Sequence, residues 1–259
     1  MALLAQTPAG RTSGGLGDDV DTVLVVGADF VPAQVSTHDY AGGFFSDSQQ
    51  RIAGIGARAK LIFGIPGVGR FNLAYNGRSL YALGTARLKT NSDSSARKEE
   101  ATSQQHHLKF NYVFKKEFGV GPACSFVNYN RGGLPGGVET WNNRFLTCGL
   151  DIDGYHKFGD AFMLDYSAGG EYGNRFEKIA IRSNRIVSGI PISALTTKET
   201  HNPAYLISAG GGLTWWYKGT LGFRFGGSYI TLRGPVQNVP GRKLVSGFPS
   251  AELGVTKVF

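Results

Sequence analysis

The stretch from Phe145 to Gly173 consists of two segments in which apolar side chains alternate with small or charged ones. In the first segment the apolar positions are Leu146, Cys148, Leu150 and Ile152, and in the second they are Phe162, Leu164, Tyr166, Ala168 and Tyr172. A period of two residues is that of a β-strand with unlike faces, because successive side chains of a strand point to opposite sides. The stretch therefore predicts an antiparallel hairpin with one apolar and one polar face.

A second copy of this pattern runs over residues 205–232, around a tight turn at 218–219. If that hairpin is centred on the turn, Trp215 lies across from Phe223, since directly opposite residues of an antiparallel pair share one face. Aromatic rings then gather beside the turn. The opposite face of this hairpin carries Gly, Ser and Thr, so it is predicted to be small and polar.

The connections along the chain alternate in length. Short ones fall near 64–69, 116–119, 156–160 and 218–219, and longer segments, among them 34–50, 90–105 and 174–203, lie between them. In an up-and-down meander odd and even connections lie at opposite ends of the strands. The short connections therefore lie at one end, and the long connections lie at the other, which we call the elaborated end. The pattern predicts an all-β, antiparallel up-and-down barrel of about ten strands over residues 22–259, with twelve strands as the alternative.

Three details concern where the strands begin and end. Asn76-Gly77 is a type I′ turn signal, so the third strand is predicted either as one strand or as a hairpin of two short ones. Pro32 is predicted to end the first strand. Residues 1–21 are small and polar without any period, which predicts a flexible or plug-like lead segment before a single barrel domain.

Composition leaves two classes of β protein open. Hydrophobic residues make up 41% of the chain with no long apolar run, which excludes a helical transmembrane span but not a barrel that exposes alternate residues to lipid. The polar faces are dominated by Gly, Ser, Asn and Thr, as a narrow, crowded lumen requires. The alternative is a soluble β-sandwich coat or shell subunit that self-assembles, in which the apolar alternates point inward.

These features resemble the bacterial outer-membrane β-barrels, which have an even number of strands, short turns at one end and long loops at the other. The final strand, with Ala251, Leu253, Val255 and terminal Phe259, resembles their closing strand, although Lys257 departs from it. The resemblance covers residues 22–259 and identifies no subfamily.

The resemblance implies an integral outer-membrane protein, and the chain is predicted not to be an enzyme. It acts as a structural anchor or docking scaffold through long outer loops, or else as a narrow, porin-like pore for small solutes. A channel of a mitochondrial or plastid outer membrane is a further alternative. The opening run MALLA lacks the length and the basic start of a secretory signal peptide, which is compatible with that alternative or with a processed chain.

Nine charged residues fall on the predicted inner face: Arg58, Lys60, Lys109, Asp151, Asp153, Asp165, Glu171, Arg224 and Glu252. A barrel of about ten strands has little free lumen, so these charges are predicted to neutralise one another as a structural network. The alternatives are a charged pore lining and a catalytic carboxylate pair. If the first hairpin is centred on Phe158, Asp151 lies across from Asp165, and both ionise readily only if a cation reaches them.

The basic residues of the predicted outer loops are candidate contacts for lipopolysaccharide phosphates or for acidic envelope proteins. They are Arg97, Lys98, Arg175, Lys178, Arg182, Arg185, Arg242 and Lys243, and the net charge of the chain is +8. Simple solvation of the loops is the alternative. Nucleic acid is not an expected partner, because the charges are scattered and no aromatic platform interleaves with them. The sequence leaves the oligomeric state open.

No catalytic residue, cofactor or metal site is assigned from the sequence. The loop histidines in His38-Asp39, His106-His107 and His201 have no spacing that fixes a catalytic dyad, so they are predicted to be solvated. Glycine-rich segments at 64–69 and 132–137 lack the Lys-Ser/Thr of a phosphate loop and are predicted to be turns.

The chain contains two cysteines, Cys124 and Cys148. If the strands that carry them fold back about Gly136, the two lie directly opposite each other on the apolar face, within reach of a disulfide bond. Two separate thiols facing lipid are the alternative.

Overall fold

The structure is a computed structural model that describes residues 22–41, 44–90, 94–98, 100–114, 117–132, 138–159, 161–187, 190–217, 220–235 and 243–259. In these ranges it contains the strands β1 (Val23–Ala41), β2 (Phe44–Ile65), β3 (Gly69–Ala82), β4 (Thr85–Thr90), β5 (Ser94–Lys98), β6 (Glu100–Phe114), β7 (Phe118–Gly132), β8 (Val138–Phe158), β9 (Phe162–Val187), β10 (Ile190–Tyr217), β11 (Leu221–Pro235) and β12 (Lys243–Val258). The same ranges hold no helix that is long and apolar enough to cross a membrane.

Within the described chain, ten strands close into an antiparallel up-and-down barrel. The order is β1, β2, β3, β6, β7, β8, β9, β10, β11 and β12, and β12 pairs back onto β1. The β4–β5 hairpin lies in the connection between β3 and β6, where β4 pairs with the outer part of β2. The predicted barrel of ten strands is confirmed, and Asn76 and Gly77 lie inside one continuous strand, β3.

The strands extend further at the elaborated end than the sequence predicted. β1 continues through Pro32, and the predicted loops at 34–50 and 174–203 are largely the paired strands of the β1–β2 and β9–β10 hairpins. Residues 100–105 likewise belong to β6. These predictions were wrong because cross-strand hydrogen bonds to the hairpin partner satisfy the backbone there, without a continuous apolar face to produce an alternating pattern.

The two hairpins first identified in the sequence differ in how well their register was predicted. Trp215 faces Phe223 as predicted, and their ring centroids are 5.8 Å apart. In the other hairpin Asp151 faces Gly169 and not Asp165, so that prediction was wrong. The strands end at the facing pair Phe158 and Phe162, and the turn between them includes Gly159 with a φ of 62°, a left-handed conformation that favours glycine.

Large apolar side chains cover the outside of the barrel, and polar ones fill much of the inside. Exposed examples are Phe30, Ile55, Leu108, Leu150, Phe225 and Leu253, whereas Asp29, Lys109, Asp151, Arg224 and Glu252 are buried. This arrangement contradicts the soluble alternative, in which the apolar alternates point inward. A strand of eleven residues tilted by about 40° spans about 28 Å, close to the apolar band of about 25 Å on membrane barrels.

Candidate functional site in the barrel lumen

The described lumen contains two levels with different chemistry. Towards the elaborated end lies a cluster that we call the apolar layer, made of Val31, Val35, Ile52, Leu80, Ala101, Val127, Tyr129, Phe145, Ala204, Leu206, Leu232 and Phe248. Towards the short turns lies the charge network, made of Asp29, Arg58, Lys60, Arg78, Lys109, Asp151, Asp153, Asp165, Glu171, Arg224 and Glu252.

The apolar layer extends across the lumen. Every barrel strand except β9 contributes at least one of its side chains, and all of them are almost fully buried. The rings of Tyr129 and Phe248 meet edge to face at 5.6 Å between centroids. The sequence analysis did not predict this layer, although inward positions such as Val35 and Leu206 are apolar, because the alternating pattern predicts a uniformly polar inner face.

Two arginines hold Glu252 at the centre of the charge network. Arg224 binds Asp165 in a bidentate manner, with Nη2–Oδ1 at 2.7 Å and Nε–Oδ2 at 3.0 Å, and its Nη1 donates to Glu252. Arg78 donates to the other carboxylate oxygen of Glu252. Bidentate guanidinium–carboxylate pairs fix geometry as well as neutralise charge, so this part of the lumen is both filled and ordered.

Three further ion pairs belong to the network: Arg58 Nε–Asp29 Oδ2 at 2.6 Å, Lys60 Nζ–Asp153 Oδ2 at 2.7 Å and Lys109 Nζ–Asp151 Oδ1 at 2.8 Å. The first joins the adjacent strands β1 and β2, and the other two join strands that are not adjacent in the barrel. The structure places all nine sequence-predicted lumen charges on the inner face, and it adds Asp29 and Arg78 to them. Asp151 and Asp165 do not share a site, because Lys109 pairs with the former and Arg224 with the latter.

His107 faces the lumen and assembles a hydroxyl–carboxylate cluster. Its Nδ1 lies 2.7 Å from the Ser125 hydroxyl, which donates to Glu171 at 2.8 Å, while Thr147 donates to the other oxygen of Glu171 at 2.7 Å. A nucleophilic serine instead gives its proton to the histidine. The cluster lies beside a cavity of about 80 Å³, which has room for a few water molecules.

The other sequence-identified histidines lie apart from this cluster. His106 faces outward and its Nδ1 is 2.7 Å from the Tyr75 hydroxyl, and His201 packs against Phe176 at 4.8 Å between ring centroids. His38 lies in β1, and the side chain of Asp39 is outside the described part. The His107 cluster was missed because four different strands supply it. No group of three or more metal-ligating side chains occurs in the ranges described above.

The basic residues predicted to lie in outer loops occupy different environments in the structure. Arg175 is not an outer contact, because its side chain is fully buried inside the barrel, 3.2 Å from Glu177. Lys178 and Arg182 are exposed on the outside, and a hydrogen bond of 2.8 Å from Lys178 lowers the pKa of the Glu199 carboxyl. Arg242 and residues 1–21 lie outside the described residues, as do the side chains of Arg97, Lys98, Arg185 and Lys243.

Cys124 and Cys148 face each other across β7 and β8 and are joined by a disulfide bond. Both side chains point outward from the barrel. Leu108 faces Cys124 from the next strand, and Tyr172 faces Cys148, so the bond lies among apolar groups.

No protein-family model and no curated protein sequence matches the chain. Among solved structures, the outer membrane protease OmpT from Escherichia coli superposes with a TM-score of 0.52 at 10% identity, covering 93% of this chain and 97% of OmpT. The transport unit of the autotransporter AIDA-I from Escherichia coli gives a TM-score of 0.44 at 14% identity, with 90% of each chain covered. At such identities the likeness concerns the fold alone.

Proposed function

We propose that this chain, which has the fold of the bacterial outer-membrane β-barrels, is an integral outer-membrane protein whose lumen is closed and whose barrel serves as an anchor. The observation that carries this proposal is the apolar layer across the lumen. A hydrated ion or small polar solute would have to shed water there, and the aliphatic side chains of the layer offer it no replacement hydrogen bond, which is costly.

The charge network, on the short-turn side of the apolar layer, also supports a closed lumen. Each of its carboxylates is bound by a cation or by hydroxyl groups, so its ions occupy space that a pore lining leaves to water. The proposed role of these charges is therefore to order and brace the wall. The His107 cluster belongs to that bracing, and we assign no enzyme activity to it.

The elaborated end is the proposed docking side. The β9–β10 hairpin remains paired from Tyr172 and Tyr205 up to Val187 and Ile190, well beyond the apolar band. A paired ribbon of this kind can present side chains to envelope partners at a distance from the membrane. A disulfide bond is typical of proteins that pass through an oxidising compartment, which supports a bacterial envelope location over an organellar one.

Recordings in planar bilayers test the closed lumen. The barrel is first identified by its faster migration in unboiled dodecyl sulfate gels, and the same preparation is then added to the bilayer. We expect no stepwise ionic conductance from the wild-type protein, whereas Phe248→Ser, which replaces a side chain of the apolar layer, should introduce brief openings. Phe225→Ser changes a lipid-facing ring and serves as the control. A stable, ohmic conductance of the wild-type barrel would instead favour a narrow small-solute pore.

A further inference from the structure

The apolar band of the outer wall ends at an aromatic pair on the elaborated side. The rings of Tyr172 and Tyr205 are 5.0 Å apart between centroids. From Phe162, at the short-turn end of β9, to Tyr172 the tilted strand rises about 25 Å at about 3.3 Å per residue, which matches the apolar band of a membrane barrel. Residues just past Tyr172 therefore lie at the level of lipid headgroups.

At that level the lipid-facing side of β8 to β11 carries four basic side chains that we call the basic belt: Arg144, Lys178, His201 and Arg233. The strand register brings them together, because Arg144 faces Phe176, Phe176 faces His201, and Arg233 faces Tyr205. Lys178 lies diagonally from Arg144, at about 7–8 Å. All four are exposed on the outside of the barrel.

The basic belt has little internal neutralisation. Glu199 is the one carboxylate that the described residues place beside it, and Lys178 and Glu199 each keep 59% of their side chains exposed. The ions of the charge network, in contrast, are buried or partly buried, and each is bound by a partner inside the barrel. An exposed surplus of positive charge beside aromatic rings is suited to an anion attached to an apolar body.

We infer that the basic belt binds the phosphate groups of an anionic glycolipid of the outer leaflet, while Tyr172 and Tyr205 contact its acyl region. Planar guanidinium groups bind phosphate oxygens in pairs, and Lys178 adds a mobile point charge. The inference deepens the proposed function, since it assumes that the barrel lies in an outer membrane. It does not depend on whether the lumen conducts.

Binding to lipopolysaccharide in vesicles tests this inference. The barrel is refolded into phosphatidylcholine vesicles with increasing fractions of lipopolysaccharide, and the lipid retained by the extracted protein is measured. A cation near an anionic surface contributes about 5-fold to affinity, so the triple variant Arg144→Gln, Lys178→Gln, Arg233→Gln should bind on the order of 100-fold more weakly. The matched control changes two exposed arginines outside the belt, Arg51→Gln and Arg87→Gln, and should bind like the wild type.

Three outcomes would overturn the inference. Equal retention by the triple variant and the wild type would show that the basic belt is only solvated. An equal loss in the Arg51→Gln, Arg87→Gln control would show a general effect of net charge. Complete displacement of the glycolipid by millimolar inorganic phosphate would show that the site takes free phosphate and not a lipid headgroup. The bilayer recordings remain a separate test, so a closed barrel without a lipid site is distinguishable from an open one.

The disulfide bond carries an independent inference about how the protein is made. Cys124 lies about 15 Å along the tilted β7 from Phe118, in the middle of the band, and its surroundings on the outer face are apolar. Thiol–disulfide exchange proceeds through a thiolate, a charged species that hydrocarbon does not support. The bond is thus placed where water-borne thiols and disulfides do not react.

We infer that Cys124 and Cys148 are oxidised before the barrel inserts, by exchange with the disulfide of an oxidising partner. The two thiols lose two protons and two electrons, and the partner's disulfide becomes a dithiol that takes them up. Insertion then seals the bond away from aqueous reductants. This inference also rests on the membrane location proposed above.

Reduction of the inserted and unfolded forms tests this order of events. The oxidised chain is treated with tris(2-carboxyethyl)phosphine either in urea or after insertion into vesicles, and free thiols are then labelled with a maleimide that shifts the gel band. We expect the unfolded chain to become fully labelled and the inserted chain to stay oxidised. A control chain carries Cys124→Ser and Cys148→Ser with Lys178→Cys and Glu199→Cys, a facing pair outside the band, and its bond should be reduced in vesicles.

A converse arm starts from the reduced chain. Once inserted, it should remain reduced with oxidised glutathione, which oxidises the unfolded chain. Rapid reduction of the native bond in vesicles, or equally fast oxidation of the inserted and unfolded chains, would overturn the inference.

Discussion

The apolar layer and the charge network occupy adjacent levels of one lumen and are built on the same strands, yet they close it by different means. The apolar layer fills space with side chains whose attraction has no preferred direction. The charge network fills space with ions that are stable only while each keeps its partner, because a buried charge without one is costly. The first level is therefore expected to tolerate substitutions of similar volume, and the second is expected to tolerate few.

Small residues mark the difference between the two levels. Gly212 lies against the guanidinium of Arg224, and Gly254 lies against the carboxylate of Asp29, so a Cβ at either position would collide with the ion. The network thus has glycine beside these two ions, where a side chain would force them to move. Strands on the same wall supply leucine, valine and phenylalanine to the apolar layer. The interior of the barrel is therefore not a uniform polar lining, because side-chain size and polarity differ from one level to the next.

Replacing Arg224 should produce the largest effect, since its loss leaves two carboxylates short of a cation. The Arg224 side chain is 5% exposed, and it contacts both Asp165 and Glu252. We expect Arg224→Met to lower the free energy of unfolding by about 3–5 kcal/mol, the usual cost of breaking a buried ion pair from one side. Urea titrations followed by heat-shift electrophoresis would measure it. The triple variant Arg224→Met, Asp165→Asn, Glu252→Gln should recover much of the loss, and a single variant as stable as the wild type would contradict the role of the network.

Leu206→Ala tests the apolar layer in the same way. Leu206 is almost fully buried in the layer, whereas its neighbour Ile207 points to lipid. We expect Leu206→Ala to lower the free energy of unfolding by about 3 kcal/mol, through lost contacts and the cavity left behind. Ile207→Ala leaves no internal cavity and should cost less, as measured by the same urea titrations. Equal losses in the two variants would mean that the layer is no better packed than the lipid-facing wall.

The sequence predicted the outer face of the barrel better than its interior. Alternation identifies which side of each strand is apolar, so strand number, antiparallel order and the Trp215–Phe223 register followed from it. It does not reveal an apolar patch on the inner face, such as the one around Leu206. The alternating pattern also does not reveal which ions pair with each other, because residues as distant in sequence as Arg78 and Glu252 meet only when the barrel closes. The strands end at Phe158 and Phe162, so the turn lies two residues later than expected, which was enough to misplace Asp151 relative to Asp165.

The smallest of the three effects is expected when Lys60 is replaced. This substitution removes an ion pair of the network and leaves the hydrogen bonds to the same carboxylate in place. Asp153 is bound by Lys60 at 2.7 Å, and it also accepts hydrogen bonds from Asn111 at 2.5 Å and Asn72 at 3.3 Å. Because those amides remain and the Lys60 side chain is 30% exposed, Lys60→Met should lower the free energy of unfolding by only about 1–2 kcal/mol. Adding Asn111→Leu removes the next donor, so the double variant should lose more than the sum of the two single changes. A strictly additive result in urea titrations would mean that water solvates Asp153. The charge network at this level would then not exclude water.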